Sequence, residues 1–462
     1  MFDRGTYDPP ATGRLAGACA TLWLLGCGEK STAPTVPDLE MAALADPALI
    51  AEVRQLAATR GITPLAPPAP VRRELSLLGQ ALAFDKILSG NRDISCMTCH
   101  VTGLATVDSR SVAIGQGATG LGPDRVHPDG KFIHRSAPPL FNLHAMKTLT
   151  WDGRVFVSST GVIRIPNGLT TAQRAVFEFG TVSAFPLLPP LSRPEMRANT
   201  GNELAAVPDA THQKTWKLIM SRLGAIPQYR TMFESAYPGQ VFDSMTFAHA
   251  SNAIGGWITA VFASTATPWD RFLAGDDAAM TDVQLRGARA FMTTAKCSQC
   301  HSGPALTDGK FHNVAIAQVG PGFGDGPDGR DDFGRMRRTG NTLDKYKFRT
   351  PPLRNVELTA PYGHDGAIVS LRDWVDHYSR SDVKLRAYDP SQLEPLLQGT
   401  LIPTAEQILL TRDNRLKTLV LQPQTVDEIT EFLKALTDPS ARDLSRFVPA
   451  TVPSGLPVDH LP

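Results

Sequence analysis

Apolar positions recur at helical spacing in several places along this chain. From Leu75 to Phe84 the apolar residues are Leu75, Leu77, Leu78, Ala81, Leu82 and Phe84, which is one face of a helix. Val283 to Thr293 has the same spacing. Phe247 to Phe262 is apolar and helical with a glycine pair inside it. Thr425 to Ala435 reads as an amphipathic helix with Ile429, Phe432 and Leu433 on one face. A short helix is expected between Ala48 and Thr59. Few segments alternate at a period of two, so the pattern predicts a mainly α fold. Thr267-Pro268 and Gly275-Asp276-Asp277 mark a hinge between two similar units.

In each unit a helical stretch delivers the chain to the same short run. The first is Cys96-Met97-Thr98-Cys99-His100 and the second is Cys297-Ser298-Gln299-Cys300-His301. C-x-x-C-H is the attachment run of a c-type haem. The cysteines form thioethers to the porphyrin, and the histidine ligates the iron from one side. A redox or zinc C-x-x-C would need a coincidental histidine in both runs. The expectation is therefore two covalent haems, held in two c-type cytochrome domains that each wrap one. These domains span 73–265 and 276–440, followed by a tail, 441–462. The long loops 101–150 and 302–360 are where axial ligands and distal groups must arise, since ordinary domains seldom carry loops of that length.

The chain start adds export. Arg4 and Arg14 precede an apolar stretch, Leu15 to Gly26, in the order of a secretory signal. The stretch is too short to span a bilayer. It ends Leu24-Leu25-Gly26-Cys27, which resembles a lipoprotein lipobox, so residues 1–27 read as a signal peptide with Cys27 lipidated. Residues 28–72 are proline-marked and read as a linker or wrapping segment. The expected location is the periplasm, with the lipid held at the outer or inner membrane surface. Basic and acidic residues number 46 and 45, which gives no reason to expect a nucleic-acid partner.

Several blocks resemble the bacterial dihaem cytochrome c peroxidase and MauG superfamily. They are Leu78-Gly79-x-Ala81-x-Ala83-Phe84-Asp85, Leu88-Ser89-Gly90-Asn91, Arg135-Ser136-Ala137-Pro138 and Trp151-Asp152-Gly153-Arg154. Gly303-Pro304 with Thr307-Asp308 follows the second run. The clearest is Pro351 to Val356, continuing through Thr359-Ala360-Pro361-Tyr362-Gly363-His364-Asp365-Gly366. The resemblance implies a peroxide-reactive N-terminal haem and an electron-transferring C-terminal haem. It also implies a tryptophan between them, here Trp151, and calcium near the interface.

Three positions choose the branch within this resemblance. Family peroxidases carry a histidine ligand where this chain has Gln116, and glutamine is a poor iron ligand beside imidazole. An open sixth position on the first haem follows, although His127 and His134 lie in the same loop. The distal acid matches Glu195, in Ser192-Arg193-Pro194-Glu195-Met196-Arg197, and a carboxylate there can move a proton between the peroxide oxygens. The far ligand of the second haem falls fourteen residues after His364, at Tyr378, where electron-transferring members have methionine. Tyrosinate favours oxidised iron. The adjacent His377 would project about 100° away on a helix. For calcium, the family's carbonyls match Thr359 and Pro361, while its asparagine is replaced by Ser136, a weaker donor.

These positions favour the MauG-like branch. Hydrogen peroxide would be cleaved with help from Glu195, and a high-valent pair of irons, coupled through Trp151, would oxidise a tyrosine or tryptophan of an exported partner protein. One rival is a dihaem cytochrome c peroxidase fed by a small redox protein. Another is a non-enzymatic electron-transfer cytochrome with both irons saturated by protein ligands.

Overall fold

A computed structural model describes residues 46–461, and its fold is mainly helical, with 44% of residues in helix. The presequence, Cys27 and the first part of the wrapping segment lie outside the described residues. Among the described residues no helix is long and apolar enough to cross a membrane.

The first unit is built on one helix crossing. The Arg73–Phe84 helix packs along the Phe247–Val261 helix. Leu75, Leu78 and Leu82 are fully buried there, each stabilising the fold by about 1.5–3 kcal/mol. The crossing depends on Gly79, where an added Cβ would lie 2.0 Å from the Ala253 carbonyl oxygen. The glycine pair on the partner helix serves the same end. A Cβ on Gly255 would lie 2.7 Å from the Val182 carbonyl, so the Thr181–Ala184 turn of helix can sit against it.

The second unit repeats the device. The Asp282–Met292 helix crosses the Pro423–Lys434 helix, with Gly287 at the contact. A Cβ there would lie 1.9 Å from the Glu428 carbonyl oxygen. In both units, then, the helix that leads into C-x-x-C-H crosses the unit's closing helix through a glycine. Strands are few. Thr148–Leu149, Val155–Val157 and Ile163–Arg164 form a three-stranded antiparallel sheet, and Phe311–His312 pairs with Phe348–Arg349.

Both flanking segments pack on the unit more distant in sequence. The Pro47–Thr59 helix buries Leu49, Ile50, Val53 and Ala57 in the second unit's core, against the Asp282–Met292 helix. The segment after residue 440 returns to the first unit. Ala441, Leu444 and Val452 join its core, and Asp459 accepts from Lys86 and Thr98, each at 2.5 Å. A buried ion pair ties the units together, Arg135 meeting Asp332 at 2.6 Å, with Asp152 of its own unit 3.2 Å away, and Arg354 meets Asp270 of the connecting segment at 2.5 Å. Such pairs are expensive to break singly, because the remaining charge is left buried.

Candidate haem sites

Each C-x-x-C-H run opens onto a large cavity. The first has about 1170 Å³ of space, solvent at its mouth included, and the second about 1570 Å³.

The first cavity is lined by Cys96, Cys99 and His100, with Ile94, Leu140, Ile254 and Ile258 among its apolar walls. A capping box fixes the Cys96–Cys99 turn, with the Ser95 amide donating to Thr98 Oγ1 at 2.9 Å. His100 Nδ1 donates to the Thr106 carbonyl at 3.1 Å, which leaves Nε2 its lone pair. Burial lowers the His100 pKa to about 4, so the ring is neutral. A neutral imidazole, oriented by a backbone carbonyl, is the usual haem ligand geometry. The second run repeats the arrangement. His301 Nδ1 donates to the Leu306 carbonyl at 3.0 Å, and burial again lowers its pKa to about 4. Cys297, Cys300 and His301 line the second cavity with Phe291, Ile429 and Leu433. The residues present fit one covalent haem in each cavity.

Glu195 lines the first cavity. It stands on a π-helical turn, Arg193–Arg197, a distortion common at functional sites. The turn is clamped from behind. The Gln116 amide donates to the Glu195 carbonyl at 3.0 Å, and the Gly90 amide to the Met196 carbonyl at 2.7 Å. Arg197, 1% exposed, bonds the Leu204 carbonyl and Asp209. Burial pushes the Glu195 carboxyl above its usual range, and the Arg154 charge opposes the shift only in part.

Gln116 does not line this cavity, contrary to its place among the expected catalytic residues. Gly115 packs so closely on the clamped turn that a Cβ would lie 1.8 Å from the Pro194 carbonyl oxygen. That contact holds position 116 behind Glu195, where its side-chain oxygen accepts from Asn91 at 2.6 Å. Ala113, Ile133 and His134 supply the wall instead. His134 donates to the Gly322 carbonyl and packs against Phe323 at 4.5 Å, the rings tilted by 40°. His127 is buried, with Nδ1 accepting from the Asp129 amide, and does not line the cavity.

Trp151, Ser136 and Ala137 line both cavities. The Trp151 indole donates to the Ser136 carbonyl at 3.2 Å, and its own carbonyl accepts from the Arg349 amide at 2.8 Å. Tyr378 caps the Leu371–His377 helix and lines the second cavity. Its hydroxyl has no protein partner among the described residues. Burial, with the Cys297 and Cys300 sulfurs nearby, holds the phenol neutral. Only a bound cation would reverse that preference. His377 points elsewhere, its Nε2 donating to the Val314 carbonyl at 2.8 Å.

Ser136, Thr359 and Pro361 share the second cavity. The Ser136 hydroxyl donates to the Gly363 and His364 carbonyls, at 3.1 and 3.3 Å. None of these three groups carries a charge, so they fit a calcium ion poorly unless water completes most of its shell.

The sequence reading missed a polar group beside Cys300. His312 lies between Asp413, at 2.8 Å, and Asp308, at 2.9 Å, and Arg415 adjoins it. Burial opposes a charge on His312, yet hydrogen bonds to Asp413, Cys300 and Asp308 outweigh it and lift its pKa to about 10. Thr307-Asp308 was visible as a motif and His312 lies four residues on, but Asp413 and Arg415 are about a hundred residues away. Trp374, also in this cavity, gave no sequence signal.

The family model described as di-haem cytochrome c peroxidase matches residues 73–278. The methylamine utilization protein MauG of Methylorubrum extorquens is 27% identical over 68% of this chain and 71% of its own. The cytochrome c551 peroxidase of Pseudomonas aeruginosa is 29% identical over 66% of this chain and 72% of its own. Among solved structures, a MauG-like protein associated with microbial copper homeostasis superposes with a TM-score of 0.58 at 24% identity, covering 84% of this chain and 96% of that one. The diheme peroxidase BthA of Burkholderia thailandensis does so with a TM-score of 0.57 at 18% identity, covering 83% and 95%. Residues 73–278 thus match the di-haem cytochrome c peroxidase family, and the chain is similar to haem-dependent enzymes named MauG and cytochrome c peroxidase.

Proposed function

We propose that this chain is a MauG-like enzyme, exported and lipid-anchored at Cys27, that uses hydrogen peroxide to oxidise a side chain of an exported partner protein. We assign the peroxide-reactive site to 73–265 and the charge-storing site to 276–440. The observation that carries the reading is Tyr378, which faces the second cavity with its hydroxyl unengaged while His377 is bonded away to Val314. A tyrosine oxygen disfavours the reduced iron that a small-redox-protein peroxidase needs.

Bound haem supplies the iron at which peroxide is held and its O–O bond cleaved. Glu195 takes a proton from the inner peroxide oxygen and returns it to the outer one, work that needs a carboxyl of raised pKa in a sheltered site. The π-helical turn holds that carboxyl in position. Trp151, packed between the cavities, couples them. His134 is held by Gly322 and Phe323, and Gln116 lies outside the cavity, so the peroxide side of the first site stays accessible. Calcium on Ser136, Thr359 and Pro361 would bind weakly, and dialysis against EDTA followed by metal analysis should remove it.

The second reading is a cytochrome c peroxidase fed by a small redox protein. It is favoured by a similarity to the Pseudomonas aeruginosa peroxidase as high as that to MauG. The electron-transfer cytochrome is not retained, because the relatives are enzymes. Electron paramagnetic resonance of the ferric protein separates the two readings. One high-spin haem beside one low-spin haem of tyrosinate character supports the first. Two low-spin haems with histidine or methionine signatures reject it. Peroxide titration with candidate exported partners, followed by mass spectrometry for added oxygen or cross-links, then identifies the substrate class.

A further inference from the structure

Six arginines among the described residues are buried: Arg110, Arg125, Arg135, Arg197, Arg349 and Arg354. A buried charge is stable only when something pairs with it. Four of the six have a carboxylate. Arg110 meets Glu394, Arg135 meets Asp332, Arg197 meets Asp209 and Arg354 meets Asp270. Arg125 has none, but each of its three side-chain nitrogens donates to a carbonyl, those of Ile114, Gly120 and Gly115. Arg349 differs from all five. It is 5% exposed and has no carboxylate partner among the described residues. Burial, with no acid near enough to oppose it, lowers its pKa to about 10, so it stays charged at neutral pH.

Arg349 ends the short strand Phe348–Arg349 and lines the second cavity. Backbone groups pin it on one side. Its amide donates to the Trp151 carbonyl at 2.8 Å, and its Nε to the Thr150 carbonyl at 3.1 Å. Nη1 donates to the Thr350 carbonyl at 3.1 Å. Nη2 has no protein partner among the described residues. The wall of this cavity offers it no anion either, because Asp413 is already bonded to His312 and Arg415. The other cations of the wall do not share its position, since Lys296 is exposed and Arg415 is paired. A haem carries two propionate carboxylates, and a guanidinium fork matches a carboxylate with parallel N–H bonds.

We infer that Arg349 holds a propionate of the second haem and, through its bonds to Thr150 and Trp151, fixes that haem against the segment shared by both cavities. The inference requires a haem in the second cavity and is the same for either reading of the function. Arg349 is a positioning residue, and no bond is made or broken at it. Its charge offsets that of the propionate. Without it the uncompensated anion favours the oxidised iron, so the midpoint potential of the second haem falls.

The test uses the protein with both haems attached, followed by spectroelectrochemistry. The thioethers keep the haem in place when the arginine is replaced. Arg349→Gln should shift the reduction equilibrium of the second haem about tenfold towards the ferric form, a fall of about 59 mV for one electron. The first haem should keep its midpoint. Arg349→Lys, which retains the charge, should restore most of the shift. Burial raises the pKa of a carboxylate that has lost its cation, so the midpoint in Arg349→Gln should also rise more steeply than in wild type as pH is lowered. Resonance Raman reads the bond itself, and the propionate-bending band of the second haem should move in Arg349→Gln. Arg349→Leu is the second variant, for the case in which glutamine disturbs the Thr150 contact. A wild-type midpoint and propionate band in both variants overturn the inference. So does a shift confined to the first haem, or one equally large in Arg349→Lys, which would trace the effect to lost backbone bonds. An intact mass showing a single haem would instead overturn the dihaem reading, and the two failures are thereby distinguished.

Discussion

On the wall of the first cavity Glu195 is the one carboxylate among the described residues, and most of its neighbours are apolar. The wall of the second carries Tyr378, His364 and the group of His312, Asp413 and Arg415. Their attachment runs are otherwise matched, with the same histidine-to-carbonyl bond and the same glycine crossing behind them. What separates the sites is therefore the far wall, most of which, Glu195 in the first and His364, Tyr378, Asp413 and Arg415 in the second, comes from sequence well away from either C-x-x-C-H. A single carboxyl on a largely apolar wall, with Arg135 and Arg154 nearby, is suited to moving protons. A buried phenol amid fixed charges is suited to stabilising an oxidised centre.

The largest expected effect falls on the first wall. Glu195→Gln should keep both haems yet slow the reaction with peroxide by about 10²–10⁴-fold in stopped-flow mixing. The pH profile supplies the sign. Below its raised pKa Glu195 is protonated and cannot accept the peroxide proton, so the wild-type rate should fall as pH is lowered, beginning above the ordinary carboxylate range. Glu195→Gln should flatten that limb. A wild-type rate in this variant would move the distal acid elsewhere, with His134 the next residue on the wall to test.

Next in size, Tyr378→Phe should sharpen the contrast from the other side. The peroxide reaction at the first site should persist, while the tyrosinate signature of the second disappears from the paramagnetic resonance spectrum. An unchanged spectrum would assign the far ligand to another residue.

The shared architecture can be broken in either unit. Gly79→Ala and Gly287→Ala each place a Cβ against a carbonyl oxygen, at 2.0 and 1.9 Å. Each should lower stability by about 1–3 kcal/mol in a thermal melt followed by circular dichroism. Equal tolerance of both would show that the crossings relax without loss. The smallest effect is expected from Asp459→Ala, which removes the bonds to Lys86 and Thr98. A loss of about 1–2 kcal/mol, confined to the first haem's spectrum on heating, would show that the C-terminal segment steadies that site alone.

Much of this was readable in the chain by itself. Two C-x-x-C-H runs name their cofactor because thioether chemistry demands that local spacing, and the helices before and after them follow from apolar periodicity. Glu195, Trp151 and Tyr378 were legible through short blocks of resemblance, and each lines the cavity assigned to it. Gln116 was not, because a loop has no periodicity from which to read direction. The contact of Gly115 with Pro194, a long-range packing event, turned it outward. The same reason hid the His312 group, the two flanking segments that cross to opposite units, and the place of Trp374 on the second wall. Local chemistry and helical period are written in consecutive residues. Which side chains share a wall is decided by tertiary packing, where backbone approaches as close as a missing Cβ allows select one arrangement among many that the sequence pattern permits.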